Sequence, residues 1–239
     1  MKLLITNDDG IDAPGLAALV ESVFYAMGDN VKVIVVAPDR GRSECGHSVT
    51  TGRPLAVKSV RPDWFQIDGT PVDCVRAGLG VLAKGADAVI SGVNAGANLG
   101  VDLHVSGTFA AAREAAISGI PALAVSHYRR PDIEKTWDHV PRWTKETIEE
   151  FLQTSRQRQD APLLWNLNLP AIDPTTQQPP RVRCDVDWEP MTRTAHHRES
   201  EIHFESDFHG RPRKPGLDVE QCFGGAITLS DIRLDRHLG

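Results

Sequence analysis

The run Val31-Lys32-Val33-Ile34-Val35-Val36 constrains the fold more than any other stretch of this chain. It is almost wholly β-branched and carries no polar alternation after Lys32, the pattern of a strand covered on both faces in a parallel sheet. Its neighbours agree. Residues 3–6 form a second short apolar run. Between the two runs Leu16, Leu19, Val20, Val23, Phe24 and Met27 recur at helical spacing, with Pro14 in the first turn, Asp12 as its cap and Gly28 at its end. Thr70-Pro71 opens another helix, with Val72, Val75, Leu79 and Leu82 inward. Residues 88–90 read as a strand, 91–107 as a Gly/Asn loop, 108–118 as a small-residue helix and 122–126 as a strand. Residues 50–57 and 64–67 are extended and suit a hairpin. Strands alternating with helices predict an α/β, Rossmann-like, doubly wound and mostly parallel sheet.

The second half is less regular. Val140, Trp143, Thr147, Ile148, Phe151 and Leu152 make residues 137–155 an amphipathic helix, and 163–169 a strand. From Pro170 onward Pro, Arg, His and Asp dominate, with isolated strand signals at 202–208 and 226–229. The expected organisation is a catalytic core over residues 1–130 and an irregular β-rich extension over 131–239. That extension would complete the core and serve oligomer contacts, and the two parts can equally be one domain. A net charge of −6 argues against a nucleic-acid duplex as partner. No apolar run approaches the roughly 20 residues of a membrane span, and no leader precedes the first strand. Four scattered cysteines without a CxxC pair read as free thiols. A cytoplasmic protein is expected.

The chemistry gathers at strand ends. Asp8 and Asp9 stand side by side where the first strand stops, and Gly10 allows a turn there. Open α/β sheets bind ligands at that edge. Adjacent carboxylates repel and resist burial, and a hard divalent cation with oxygen ligands relieves both. The competing reading spends one Asp on a helix cap and the other on solvent. Two more loops reach the same edge. The first brings Arg40, Arg42 and Ser43; arginine favours phosphate, and an ordinary polar loop has the same composition. The second, residues 91–100, brings glycines with Asn94 and Asn98, which offer neutral oxygens and amide donors. Ser106-Gly107-Thr108 then precedes a helix, where hydroxyls and amides make an anion site or simply cap the helix.

Together these stretches resemble the SurE (survival protein E) family of metal-dependent nucleotidases. The matching segments are Asn7-Asp8-Asp9-Gly10 with Ala13-Pro14-Gly15, Val36-Ala37-Pro38-Asp39-Arg40 with Arg42-Ser43, and Gly69-Thr70-Pro71 with Asp73-Cys74-Val75. Ser91-Gly92-Val93-Asn94-Ala95-Gly96 with Asn98-Leu99-Gly100 follows, then Ser106-Gly107-Thr108. They come in family order and lie within residues 1–130. The resemblance implies that Asp8, Asp9, Ser43 and Asn94 hold one divalent ion per subunit, Mg2+ or Mn2+. It implies that Asn98, Ser106, Gly107 and Thr108 bind the substrate phosphate. The implied activity is hydrolysis of nucleoside 5′- and 3′-monophosphates, with Asp8 and Asp9 catalytic, in homodimers or tetramers that exchange C-terminal segments. Val105 departs from the Tyr of many members. Ile227-Thr228-Leu229-Ser230 replaces the family's Ile-Thr-Pro-Leu, and little chain follows Arg233.

On this reading a metal-activated water attacks phosphorus in line, with Asp9 or Asp8 orienting it or taking its proton; an aspartyl-phosphate route is the alternative. A non-catalytic metal or nucleotide sensor would keep every ligand. A zinc-dependent deacetylase-like hydrolase would carry His-Pro-Asp-Asp after its first strand, where Asn7 stands here. A dinucleotide-binding oxidoreductase would want glycines in place of Asp8 and Asp9, and a receiver domain would be about half as long with a lysine after its last strand. His47 reads as a solvated loop histidine, His196-His197 as surface, His104 as at most a substrate contact, and Trp64 and Phe65 as hairpin core.

Overall fold

The computed structural model describes residues 1–43, 45–157, 163–175, 178–191, 193–205 and 207–234. In chain order β1 (Lys2–Thr6) leads into α1 (Pro14–Met27) and β2 (Lys32–Pro38). The hairpin β3 (Val57–Arg61) and β4 (Trp64–Ile67) precedes α2 (Pro71–Ala77), β5 (Ala88–Asn94), α3 (Gly107–Ile117) and β6 (Ala122–His127). Then come α4 (Val140–Gln157), β7 (Leu164–Leu169), β8 (Arg181–Arg183), β9 (Thr194–Arg198), β10 (Glu201–Glu205), α5 (Asp218–Phe223) and β11 (Ile227–Asp231).

Nine strands form one sheet in the order β3-β4-β2-β1-β5-β6-β7-β11-β8. The six strands from β4 to β7 run parallel. Successive residues of β1 serve opposite layers, as the pleat requires. Leu3 and Ile5 pack with Leu16, Leu19 and Val23 of α1 and with Trp143 and Phe151 of α4. Leu4 packs with Val75 of α2 and Phe109, Ala112 and Ala116 of α3 on the other side. All four are therefore needed: a sheet whose interior strands are buried on both faces has no stable form without helices above and below. Truncating Leu4, which is fully buried, to Ala would cost about 2–5 kcal/mol.

Strand order reverses at β1. The chain moves outward through β2 and β4, then returns to place β5 on the other side of β1 and continues to β6 and β7. The crevice beyond the carboxyl ends of β1 and β5 is thus a topological switch point, where sheets of this class bind ligands.

Several sequence expectations shift. Residues 50–56 are not strand, and the edge strand begins at Val57. β5 continues to Asn94, through residues expected to be loop, because β1 pairs with it as far as Ser91 and β6 reaches Asn94 on its other side. Asp12 does not cap α1; the cap position is Ala13, with no side-chain bond, and Pro14 follows it. The signal at 226–229 becomes β11, which lies antiparallel to β7 in the main sheet. The signal at 202–208 becomes β10, which pairs with β9 in a separate ribbon. Among the described residues no helix is long and apolar enough to cross a membrane.

Candidate active site at the β1–β5 switch point

The turn after β1 is closed by Asn7, whose buried side-chain amide donates to the Gly10 carbonyl at 2.8 Å. Gly10 has φ 101°, and a Cβ there would lie 3.0 Å from the Arg40 carbonyl carbon. Only glycine combines that backbone with so near a neighbour. The loop after β2 accordingly lies against the turn: Ile11 N–H donates to the Pro38 carbonyl at 2.9 Å and Arg42 N–H to the Asp8 carbonyl at 2.7 Å. Ser43, the next residue, is exposed.

Asp8 is 6% exposed. The Thr108 hydroxyl, from the first turn of α3, donates to its Oδ1. The helix can come this close because residue 107 is glycine: a Cβ there would sit 2.9 Å from Asp8 Cβ and 3.0 Å from Oδ2. Burial pushes the Asp8 carboxyl up to about 6; the Thr108 hydrogen bond opposes the rise and the neighbouring Asp9 charge adds to it. Asp9 is less buried, and Ala95 N–H donates to its Oδ2 at 3.2 Å. Burial raises its carboxyl too, against the Ala95 bond. Two adjacent acids are both held in surroundings that resist their ionisation.

Facing them is the amino end of α3. Ser106 caps it, its Oγ accepting from Phe109 N–H at 3.0 Å. The N–H groups of Gly107 and Thr108 have no intrahelical partner by position and point out of the helix. The Thr108 hydroxyl hydrogen is spent on Asp8, and the Thr108 backbone N–H also donates to that carboxyl, so among these amides Gly107 N–H is the one left to offer an anion. The Ser106 hydroxyl keeps its own hydrogen as a donor.

Asn94, at the end of β5, donates from Nδ2 to the Gly96 carbonyl at 2.9 Å. Asn98 is built into the sheet end. Its Nδ2 donates to Ser126 Oγ at 2.7 Å, and its own N–H to Asn168 Oδ1 at 2.9 Å. Arg40 and Arg42 both pair with Asp39, at 3.1 and 2.8 Å. His47 is not a solvated loop residue: its Nε2 lies 2.9 Å from Glu114 Oε2, and Arg113 Nε donates to its Nδ1 at 3.0 Å. The sequence reading missed Glu114, whose only local signal is that it is the lone acid among the alanines of α3, and it missed the turn-closing role of Asn7 beside Asp8. His104 is exposed and lies with its ring centroid 5.3 Å from that of Trp188. His196 and His197 lie on the exposed ribbon, and Trp64 and Phe65 are part-buried in β4.

The donor set suits a hard cation. Asp8 and Asp9 carboxylates, the Asn94 amide oxygen and the Ser43 hydroxyl are all oxygen, the chemistry of Mg2+ and Mn2+ sites. The repulsion built into the acid pair is what positive charge would relieve. Among the described residues no cluster of three or more His, Cys, Asp or Glu is placed to hold a metal, so such a set depends on its neutral oxygens.

Residues 3–198 match the family model described as survival protein SurE. A protein of Nostoc sp. is 39% identical over 234 residues, covering 98% of this chain and 100% of its own. The 5′-nucleotidase SurE of Paramagnetospirillum magneticum is 36% identical over 245 residues, covering 98% of this chain and 90% of its own. The crystal structure of the SurE protein from Aquifex aeolicus superposes with TM-score 0.84 at 28% identity, over 100% of this chain and 95% of that one.

Proposed function

The chain belongs to the SurE family, and on that footing we propose that it is a phosphomonoesterase cleaving nucleoside 5′- and 3′-monophosphates, with one divalent ion, Mg2+ or Mn2+, per subunit. The observation that carries this reading is the buried Asp8, beside Asp9, facing the amino end of α3.

Asp8, Asp9, Ser43 and Asn94 would hold the ion. When bound, it supplies positive charge to a phosphoryl oxygen and makes a water nucleophilic at neutral pH. The chain's own groups do the rest. The Gly107 N–H and the Ser106 hydroxyl receive the equatorial phosphoryl oxygens beside Thr108, and the α3 dipole favours their charge. Asn98 adds the second hydrogen of its Nδ2. Asp9, the less buried acid, orients the attacking water and accepts its proton, while Asp8, fixed by Thr108, stays in place. Ile202 and Phe204, 60% and 74% exposed, share one face of the β9–β10 ribbon and suit burial against a second copy in a homodimer or tetramer. The free thiols at Cys45, Cys74, Cys184 and Cys222 suit a reducing cytoplasm.

The test is phosphate release from nucleoside 5′- and 3′-monophosphates by the full chain, with Mn2+ or Mg2+ and with chelator. Metal-dependent turnover is expected. Mn2+ binding without turnover on any nucleotide or generic phosphoester would instead make the site a sensor.

A further inference from the structure

Ser43 is the candidate metal-holding residue furthest from any strand. It lies in the loop between β2 and β3, and two backbone bonds bracket it. Arg42 N–H donates to the Asp8 carbonyl at 2.7 Å, and Gly46 N–H to the Val105 carbonyl at 3.1 Å, beside Ser106. Arg42 is therefore tied to the acid turn and Gly46 to the residue before Ser106. These backbone bonds anchor the loop on either side of Ser43.

A side-chain device sits at its far end. His47 Nδ1 accepts from Arg113 Nε at 3.0 Å, which assigns the ring hydrogen to Nε2, where it donates to Glu114 Oε2 at 2.9 Å. Glu114 is 5% exposed, and its other oxygen accepts from Arg76 Nε of α2 at 2.6 Å. Burial alone would raise the Glu114 carboxyl, but the bonds from Arg76 and His47 outweigh it and hold it below its ordinary value. The acid is thus charged, buried and bonded at both oxygens, the geometry of a fixed strut. Glu114 stands seven residues after Gly107, two turns along the same face of α3. One rigid helix thereby locates Asp8, through Thr108, and the Ser43 loop, through Glu114 and His47.

We propose that His47 and Glu114 are positioning residues: they hold Ser43 in register with Asp8 and so set the affinity of the site for its divalent ion. The inference rests on the metal-holding role proposed for that site, and its test separates the two. Mn2+ is titrated calorimetrically into the chelator-stripped full chain. His47→Ala weakens Mn2+ binding about tenfold, the scale of one lost charge-assisted hydrogen bond. Activity at saturating Mn2+ falls less than about threefold, and the metal-free melting temperature moves by only about 3 °C or less. His47→Gln, whose amide N–H can replace the one at Nε2, recovers most of the affinity. In a Ser43→Ala background His47→Ala costs nothing further, because the residue through which it acts is gone. Equal Mn2+ affinity in wild type and His47→Ala overturns the positioning role alone, as does an undiminished cost in the Ser43→Ala background. Failure of the wild type to take up Mn2+ overturns the metal-holding role and this inference with it.

Discussion

Replacing Asp8 by Asn should stabilise the metal-free protein, and the gain should depend on pH. Burial first, then the Asp9 charge, places the folded Asp8 carboxyl at about 6 against an ordinary 3.8. The folded state therefore binds a proton more tightly than the unfolded state. Below the unfolded value both forms are protonated and Asp8 costs nothing. As pH rises through the interval between the two values the unfolded chain ionises first, and stability falls. Above the folded value the loss is complete, about 3 kcal/mol at 1.36 kcal/mol per pKa unit. Asn removes the charge and its Oδ1 can still accept from Thr108, but its buried NH2 returns about 1–2 kcal/mol of that gain. The net expectation at pH 8 is a gain of about 1–2 kcal/mol, or a melting temperature higher by about 2–8 °C. The assay is urea and thermal unfolding by circular dichroism, in chelator, at pH 4, 6 and 8. The gap between variant and wild type should shift in the variant's favour from pH 4 to pH 8. Added Mn2+ should raise the wild type's melting temperature and leave the variant's unchanged. A gap independent of pH, or an Asp8→Asn protein less stable than wild type at pH 8 in chelator, would show that burial and Asp9 do not strain this carboxyl.

Other perturbations reach the same site from different sides. Asp9→Asn should remove turnover while leaving the unfolding midpoint within about 1 kcal/mol of wild type; near-normal phosphate release would refute its role with the water. Gly107→Ala should lower activity at least about 100-fold and destabilise by about 1–3 kcal/mol, because the new methyl meets Asp8; a fully active variant would mean that α3 does not need its close approach. Acid should destabilise the protein through a different pair of groups, the buried histidines His127 and His139. Burial, then the Arg129 charge, holds His127 at about 3 and His139 at about 4. Their neutral forms thus contribute stability that is whole above the ordinary 6.5 and lost as pH falls toward the folded values, up to about 3 kcal/mol for His139 alone. His139→Gln should flatten that slope in urea titrations between pH 6.5 and 4, and an unchanged slope would count against it.

The legible parts of the site were those written in neighbouring residues. Asp8 and Asp9 are adjacent, so their repulsion and their place after an apolar strand could be read from the chain. The Ser106-Gly107-Thr108 step likewise carries its own helix start. Cross-chain partners were not legible. Thr108 bonds Asp8 across 100 residues, and His47 bonds Glu114 across 67. Nothing local distinguishes such a histidine from a solvated one. Asp12 had the right chemistry for a cap and the wrong position, since α1 begins after Ala13.

By itself the sequence determined the layering: β-branched runs without polar alternation can be buried only between two helical layers, so a parallel α/β sheet follows. It also determined that two acids end the first strand. Tertiary structure decided which groups meet them. Placing β5 on the opposite side of β1 from β2 opens the crevice, and α3 then comes near enough to bury Asp8 under Thr108. Burial and long-range pairing are properties of the packed whole, and so are the shifted carboxyls that depend on them.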